Sequence, residues 1–152
     1  MSKKRSDGID LAARSRSRRR ALQAIYAWQI SGNPMPLIID QFRQEQEMEI
    51  ADLAYFEDLL KGVEKHQEEI DGKLRPCLDR EMAGVDQIER AVLRLAGYEL
   101  LHRLDVPYRV VINEAIEITK RFGTDQSHTY INGVLDKAAA AWRTEEYRGA
   151  NR

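Results

Sequence analysis

The segment VDQIERAVLRLAGYELLHRL, residues 85–104, limits the folds open to this chain more than any other stretch. Asp86 followed three residues later by Glu89 is a capping-box pattern. One carboxylate takes an orphan backbone N–H of the first helical turn and the other reaches back. From there Ile88, Val92 and Leu95 fall on one face of a helix, and Leu93, Leu100 and Leu104 on another. A helix apolar on more than one face sits at the centre of its domain. Other amphipathic helices must then surround it.

The rest of the chain supplies them. Leu22, Ile25, Tyr26 and Gln29 recur at helical spacing over 14–30, and the turn residues of SGNPMP end that helix. A second helix is expected over 37–47, with Leu37, Ile38 and Phe42 apolar. A third is expected over 50–71, with Leu53, Phe56, Leu60 and Val63 on its stripe. After the central helix, Pro107 suits the first turn of a helix running to Phe122, and Gly123 suits a left-handed C-terminal cap. The last helix is expected from 124 or 125 to 143, with Ile131, Val134, Leu135, Ala138 and Trp142 buried. Asn132-Gly133 lowers its helix propensity, which close helix approach or a functional contact would explain. No strand alternation is present. The expectation is an all-α, compact single domain of six to seven helices over 13–143, after a polar lead (1–12) and before a frayed tail (144–152).

Composition agrees with a folded, water-soluble chain: 152 residues, 43% hydrophobic and 32% charged, with nine glycines and four prolines. The formal net charge of −1 hides a segregation. Residues 1–20 carry eight Lys or Arg against Asp7 and Asp10, a net of +6, so the remaining 132 residues carry −7. An acidic body with a basic arm follows. The lone Cys77 cannot form an internal disulfide and reads as a small buried apolar residue in a reducing compartment. No apolar run is long enough to span a bilayer. The run ALQAIYAWQI is broken by glutamines and lacks a cleavage pattern, and Asp7 and Asp10 oppose a transit peptide, so a cytoplasmic location is expected.

Catalytic signatures are missing. His66, His102 and His128 are far apart in sequence without a ligand-spaced partner, so no metal site is expected. No nucleophile elbow, P-loop or dinucleotide fingerprint occurs. Glu114 and Glu117 could serve acid–base chemistry, but Glu117 stands four residues before Arg121 and suits an ordinary surface pair. The chain reads as a non-enzyme with no cofactor.

Two stretches invite a ligand. RSRSRRR places five arginines within residues 14–20 at a helix start, directly before the apolar run. Guanidinium forks match phosphates and stack on bases. Cations there oppose the helix dipole and repel one another, and a bound polyanion relieves both costs. Nucleic acid, a solvated basic end and a membrane surface all remain readings of the residues alone. RFGTDQSHTYINGV joins a helix-end aromatic, a glycine turn, hydroxyl and amide side chains at a helix start, and Tyr130. Helix N-termini bind anions and aromatics stack unpaired bases, although a plain helix–helix turn uses the same residues.

RRRALQAIYAWQ, IERAVLRLAGYELLHRLDVPYRVVINEAIEITKRFG and SHTYINGVLDKAA together resemble the NusB family of bacterial transcription antitermination factors, in order and spacing, over about 14–142. The resemblance implies an all-α fold of two small helical bundles and a non-enzymatic role. It implies binding to boxA of nascent ribosomal RNA leader transcripts together with NusE, a small-subunit ribosomal protein. Other Nus factors and RNA polymerase would complete the assembly. By position, Arg14, Ser15, Arg16, Arg18 and Arg19 would contact RNA, joined by Phe122, Gly123, Gln126, Ser127 and Tyr130. NusE would dock near Tyr26 and Glu89. Asn113 and Glu114 would be structural. Gln126 stands where many relatives have an acid, Thr129 where a lysine is common, and Arg19 near a common acid, so the arm is more basic than usual. Monomers and homodimers both occur among NusB-like proteins. A helical protein–protein adaptor without RNA recognition is the alternative. NusB-like domains also occur in RNA methyltransferases, but this chain shows no cofactor-binding βαβ pattern.

Overall fold

A computed structural model describes residues 8–151, apart from the side chains of Gln46 and Glu47. Most of the polar lead, residues 1–7, lies outside the described residues. Helix α1 (Leu11–Ser31) starts three residues earlier than periodicity suggested, because the Asp10 carboxylate accepts the Ala13 N–H at 3.0 Å. It ends at Gly32, whose φ of +70° and N–H bond to the Trp28 carbonyl form a left-handed cap. Helix α2 (Met35–Arg43) follows, then a 3₁₀ turn over Gln46–Ile50.

The helix expected over 50–71 is two helices. Helix α3 (Leu53–Lys65) is capped by Asp52, which accepts the Tyr55 N–H at 3.0 Å. Helix α4 (Gln67–Leu74) starts after His66, whose backbone leaves the helical region. The apolar stripe Phe56–Leu60–Val63 meets polar Gln67 at this point. Beyond the break Ile70 and Leu74 are fully buried. Short 3₁₀ turns over Arg75–Cys77 and Met82–Gly84 lead to α5 (Gln87–His102). Cys77 is buried, as expected.

Helix α5 is the central element. Asp86 accepts the N–H groups of Ile88 and Glu89, and the ten residues from Ala91 to Leu100 are all buried. α1, α2 and α3 pack on one another, α6 (Tyr108–Phe122) packs on α7 (Ser127–Trp142), and α5 touches α1, α3, α4, α6 and α7. That is the pair of small bundles the family resemblance implied, sharing one helix. The tail expected to fray instead forms α8 (Thr144–Ala150). Glu146 accepts the Tyr108 N–H at 2.7 Å, and the Tyr147 ring lies 5.4 Å from that of Tyr108. The described residues thus hold eight α-helices and no strand.

Two glycines allow close helix contact. A Cβ on Gly62 of α3 would lie 2.1 Å from the Tyr98 ring of α5, and one on Gly97 of α5 would lie 2.8 Å from Ile70 of α4. Gly133 is different: a Cβ there meets nothing within 4 Å, so close approach does not explain Asn132-Gly133. Glu117 pairs with Lys120 at 3.9 Å rather than with Arg121. His66 and His102, expected to be separate, stack with ring centroids 3.9 Å apart.

Gly62→Ala is expected to cost about 1–3 kcal/mol through overpacking against Tyr98. Gly133→Ala is expected to gain about 0.5–1 kcal/mol by removing backbone entropy from the unfolded chain. Urea unfolding of the two variants reads the opposite signs.

Candidate nucleic-acid interface

The five arginines of α1 divide by helical geometry. Residues 14 and 18 are one turn apart and turn inward. Arg18 is only 3% exposed. Its Nε lies 2.9 and 3.1 Å from the two Glu99 oxygens, and its Nη2 donates to Glu99 Oε2 at 2.9 Å and to the Tyr55 hydroxyl at 3.2 Å. The Tyr55 hydroxyl also donates to Glu99. Burial opposes the Arg18 charge, but the Glu99 carboxylate outweighs it and holds the guanidinium above the ordinary arginine value. Arg14 lies over the Tyr55 ring at 4.3 Å, with Asp52 and Asp105 each 3.9 Å away. Arg18 therefore belongs to the core and has no surface left for RNA, contrary to the sequence expectation.

Both serines of the arm also serve packing. The Ser17 hydroxyl is buried 2.6 Å from the Asp52 carbonyl, fastening α1 to the start of α3. Ser15 donates to Glu114 of α6 at 2.6 Å. Glu114, 3.8 Å from Arg18, is structural, as expected. Arg20 pairs with Glu45 and lies 5.1 Å from the centre of the Phe42 ring.

The outward arginines are Arg16 and Arg19. With Arg20, Ile50 and Arg121 they line a basin of about 280 Å³. Arg16 reaches the Ile50 carbonyl at 3.3 Å. The Arg19 pKa falls below the ordinary arginine value, first through partial burial and then through the charges of Arg121 and Arg16, with Glu114 opposing. Like charges therefore crowd Arg19, and an anion beside it would relieve that repulsion. Arg121 was missed from sequence. It was legible as the residue before the Phe122-Gly123 turn, but its approach to α1 needed the fold.

Arg121 also connects the arm with the second stretch. Phe122 is half-buried against the core. Gly123 is extended (φ −93°, ψ −174°), not left-handed. Its constraint is space, since a Cβ would lie 2.9 Å from the Thr119 carbonyl oxygen and 3.0 Å from Ser127 Cβ. Ser127 is buried and its hydroxyl closes the turn, accepting the Thr124 N–H at 3.2 Å. Gln126 is exposed at the start of α7. Tyr130 is half-buried under Arg80, whose guanidinium carbon lies 4.8 Å from the ring centre. Of the ten residues expected at RNA, Arg16, Arg19, Phe122, Gln126 and Tyr130 present accessible surface suited to a ligand, whereas Ser15, Arg18 and Ser127 are held by internal bonds.

The proposed protein-docking residues sit elsewhere on the bundle. Tyr26 is 37% exposed on α1 and Glu89 only 8% exposed on α5. Gln29, one turn beyond Tyr26, donates to the Gln87 carbonyl at 3.0 Å and so ties that end of α1 to the start of α5. No helix among the described residues is long and apolar enough to cross a membrane.

Among the described residues, seven helices around a shared central helix, with a basin lined by Arg16, Arg19, Arg20 and Arg121, define an all-α bundle protein with a basic surface patch. The chain belongs to the NusB family, whose profile matches residues 15–140. It is 66% identical over 142 residues to the transcription antitermination protein NusB of Stenotrophomonas maltophilia, covering 93% of this chain and 89% of the relative. The NusB of Xanthomonas axonopodis pv. citri is 64% identical over the same length, with the same coverage. Among solved structures, T. maritima NusB superposes with a TM-score of 0.78 at 30% identity, covering 89% of this chain and 96% of that one. The fold is also that of the NusB in a crystal structure of antitermination factors NusB and NusE in complex with dsRNA (TM-score 0.77, 20% identity, covering 87% and 99%).

Glu99→Ala should leave the Arg18 charge buried without its partner and lower stability by about 3–5 kcal/mol. Arg16→Ala, outside that network, should stay within about 0.5 kcal/mol of the parent. Urea midpoints measured side by side separate the structural arginine from the surface one.

Proposed function

We propose that this protein is an RNA-binding transcription antitermination factor that binds boxA of nascent ribosomal RNA leader transcripts together with NusE. Other Nus factors and RNA polymerase complete the assembly, and read-through of terminators results. Family membership supports the role, as do relatives named for antitermination. The structural observation that carries it is the Arg16–Arg19–Arg121 basin, where like charges crowd beside the Phe122–Tyr130 turn.

Mechanistically, the arginines position the phosphate backbone and the aromatic turn meets bases. Guanidinium forks on a preformed helix give phosphates a charge-assisted grip without the ordering cost of a flexible arm. Phosphate contacts set register and carry no sequence information. Selectivity for boxA therefore rests with groups that reach unstacked bases, here Phe122, Gln126 and Tyr130. Arg80, already stacked on Tyr130, holds that ring in place. NusE docks at the Tyr26–Glu89 region, with Tyr26 as the exposed contact and Glu89 contributing only its edge. The alternative, a protein–protein adaptor with no RNA preference, draws on the internal engagement of Arg14, Arg18 and Arg20.

Fluorescence anisotropy of labelled boxA RNA, with and without NusE and against a scrambled RNA, decides between them. Arg16→Ala, Arg19→Ala and Arg121→Ala should each weaken binding and reduce the log–log salt slope by about 0.7 per lost phosphate contact on a single strand. Tyr26→Ala should remove the strengthening by NusE while leaving binding of RNA alone unchanged. Equal binding to both RNAs with no help from NusE would refute the proposal.

A further inference from the structure

Away from the arginine basin, the fold gathers three metal-ligating side chains that are spread along the sequence. His66 occupies the break between α3 and α4, Glu69 lies in the first turn of α4, and His102 is the last residue of α5. The His102 Nε2 lies 2.6 Å from Glu69 Oε1, and the His66 Nδ1 lies 3.6 Å from the same oxygen. One donor atom from each of the three falls within 4.8 Å of the others. All three are partly exposed, with side-chain accessibilities of 28%, 42% and 30% in chain order.

We propose that His66, Glu69 and His102 form a binding site for a divalent transition-metal ion of the zinc type. Two imidazoles and one carboxylate make a borderline donor set that suits zinc, with the fourth position left to water. Bond lengths near 2.1 Å in a tetrahedral site place donors about 3.4 Å apart. The His66–Glu69 separation already matches that spacing. The His102–Glu69 hydrogen bond must open by under an ångström as the metal replaces its proton, and the stacked rings must tilt so that their lone pairs converge.

The surroundings hold the ligands while leaving the donor atoms accessible. The Tyr98 ring packs 6.2 Å from His66 and 5.6 Å from His102, and its hydroxyl is fixed on Asp58. Tyr98 in turn fills the space that Gly62 leaves empty. The His66 N–H is bound to the Gly62 carbonyl at 2.9 Å, which fixes where its side chain departs from the break. A bound ion would join the α3–α4 corner to the end of the central helix, closing a loop of 36 residues. None of these residues lines the arginine basin, so the site stands apart from the RNA-binding reading.

The test is calorimetric titration of the tag-free, chelator-treated full chain with Zn²⁺ near neutral pH. One saturable equivalent is expected, with a rise in melting temperature on Zn²⁺ addition. His66→Gln, His102→Gln and Glu69→Gln should each weaken binding roughly tenfold or more, while His128→Gln should not. In the unmodified protein, Zn²⁺ should shift the imidazole NMR signals of His66 and His102 and leave His128 alone, which covers the case of a variant that folds poorly. Absence of a saturable equivalent overturns the site. So does binding that survives both histidine substitutions, or NMR shifts confined to other residues.

Discussion

The structure depends on the Arg18–Glu99 ion pair at the contact of α1, α3 and α5. Both groups are almost fully buried, and each would be costly to bury alone. Together with the Tyr55 hydroxyl they satisfy one another across three helices whose positions in sequence are 37 to 81 residues apart. Burial and the nearby Glu99 charge push the Tyr55 phenol well above its usual range, so it remains a donor. A buried pair of this kind adds little to stability over an apolar replacement, but it penalises any packing that separates the partners. Three guanidiniums, those of Arg14, Arg18 and Arg103, lie within 5.2 Å of the Tyr55 ring centre. The joint is therefore an aromatic ring enclosed by cations over one carboxylate.

A second arginine solves a different problem. The last carbonyls of α5 have no partner within their helix. Arg143, at the end of α7, donates to the carbonyls of Glu99, Leu100 and Arg103, and also to the Val106 carbonyl and to Glu146. The residue that ends α7 thereby also ends α5 and anchors α8. This accounts for the order in a tail whose composition looks frayed: its stability comes from Glu146 and Tyr147 meeting Arg143 and Tyr108, not from local helix propensity.

The central helix, its Asp86 cap and the stripes around it were legible because period and capping are local. Glu99 interrupts the apolar run of that helix, and its burial demands a partner. What could not be read was the partner. Arg18 sits among four other arginines, and only the rotation of α1 against α5 distinguishes it. The break at His66 was hidden because Ile70 and Leu74 continue the stripe of α3 in register. Gly123 misled for a related reason. A glycine after a helix suggests a left-handed cap, whereas here the close Thr119 carbonyl and Ser127 side chain exclude a Cβ. The histidine cluster depends on tertiary contact across 36 residues, and no local spacing rule reaches that far.

The arginine arm can now be understood electrostatically. Starting α1 at Leu11 places Arg14 and its successors beyond the first residues of the helix, where the dipole penalty has largely faded. Carboxylates then offset most of the charge: Asp52 and Asp105 near Arg14, Glu99 at Arg18, Glu45 at Arg20. Around Arg19 the balance differs, because Arg16 and Arg121 are its charged neighbours and Glu114 only partly counters them. Carboxylates of the acidic body thus lie directly at Arg14, Arg18 and Arg20. Charge left concentrated on one helix face is costly in the free protein, and that cost is returned when a phosphate chain lies along it. The same folding event that buries Arg18 as a structural pin therefore brings Arg16 and Arg19 together with Arg121, on the face proposed to meet RNA.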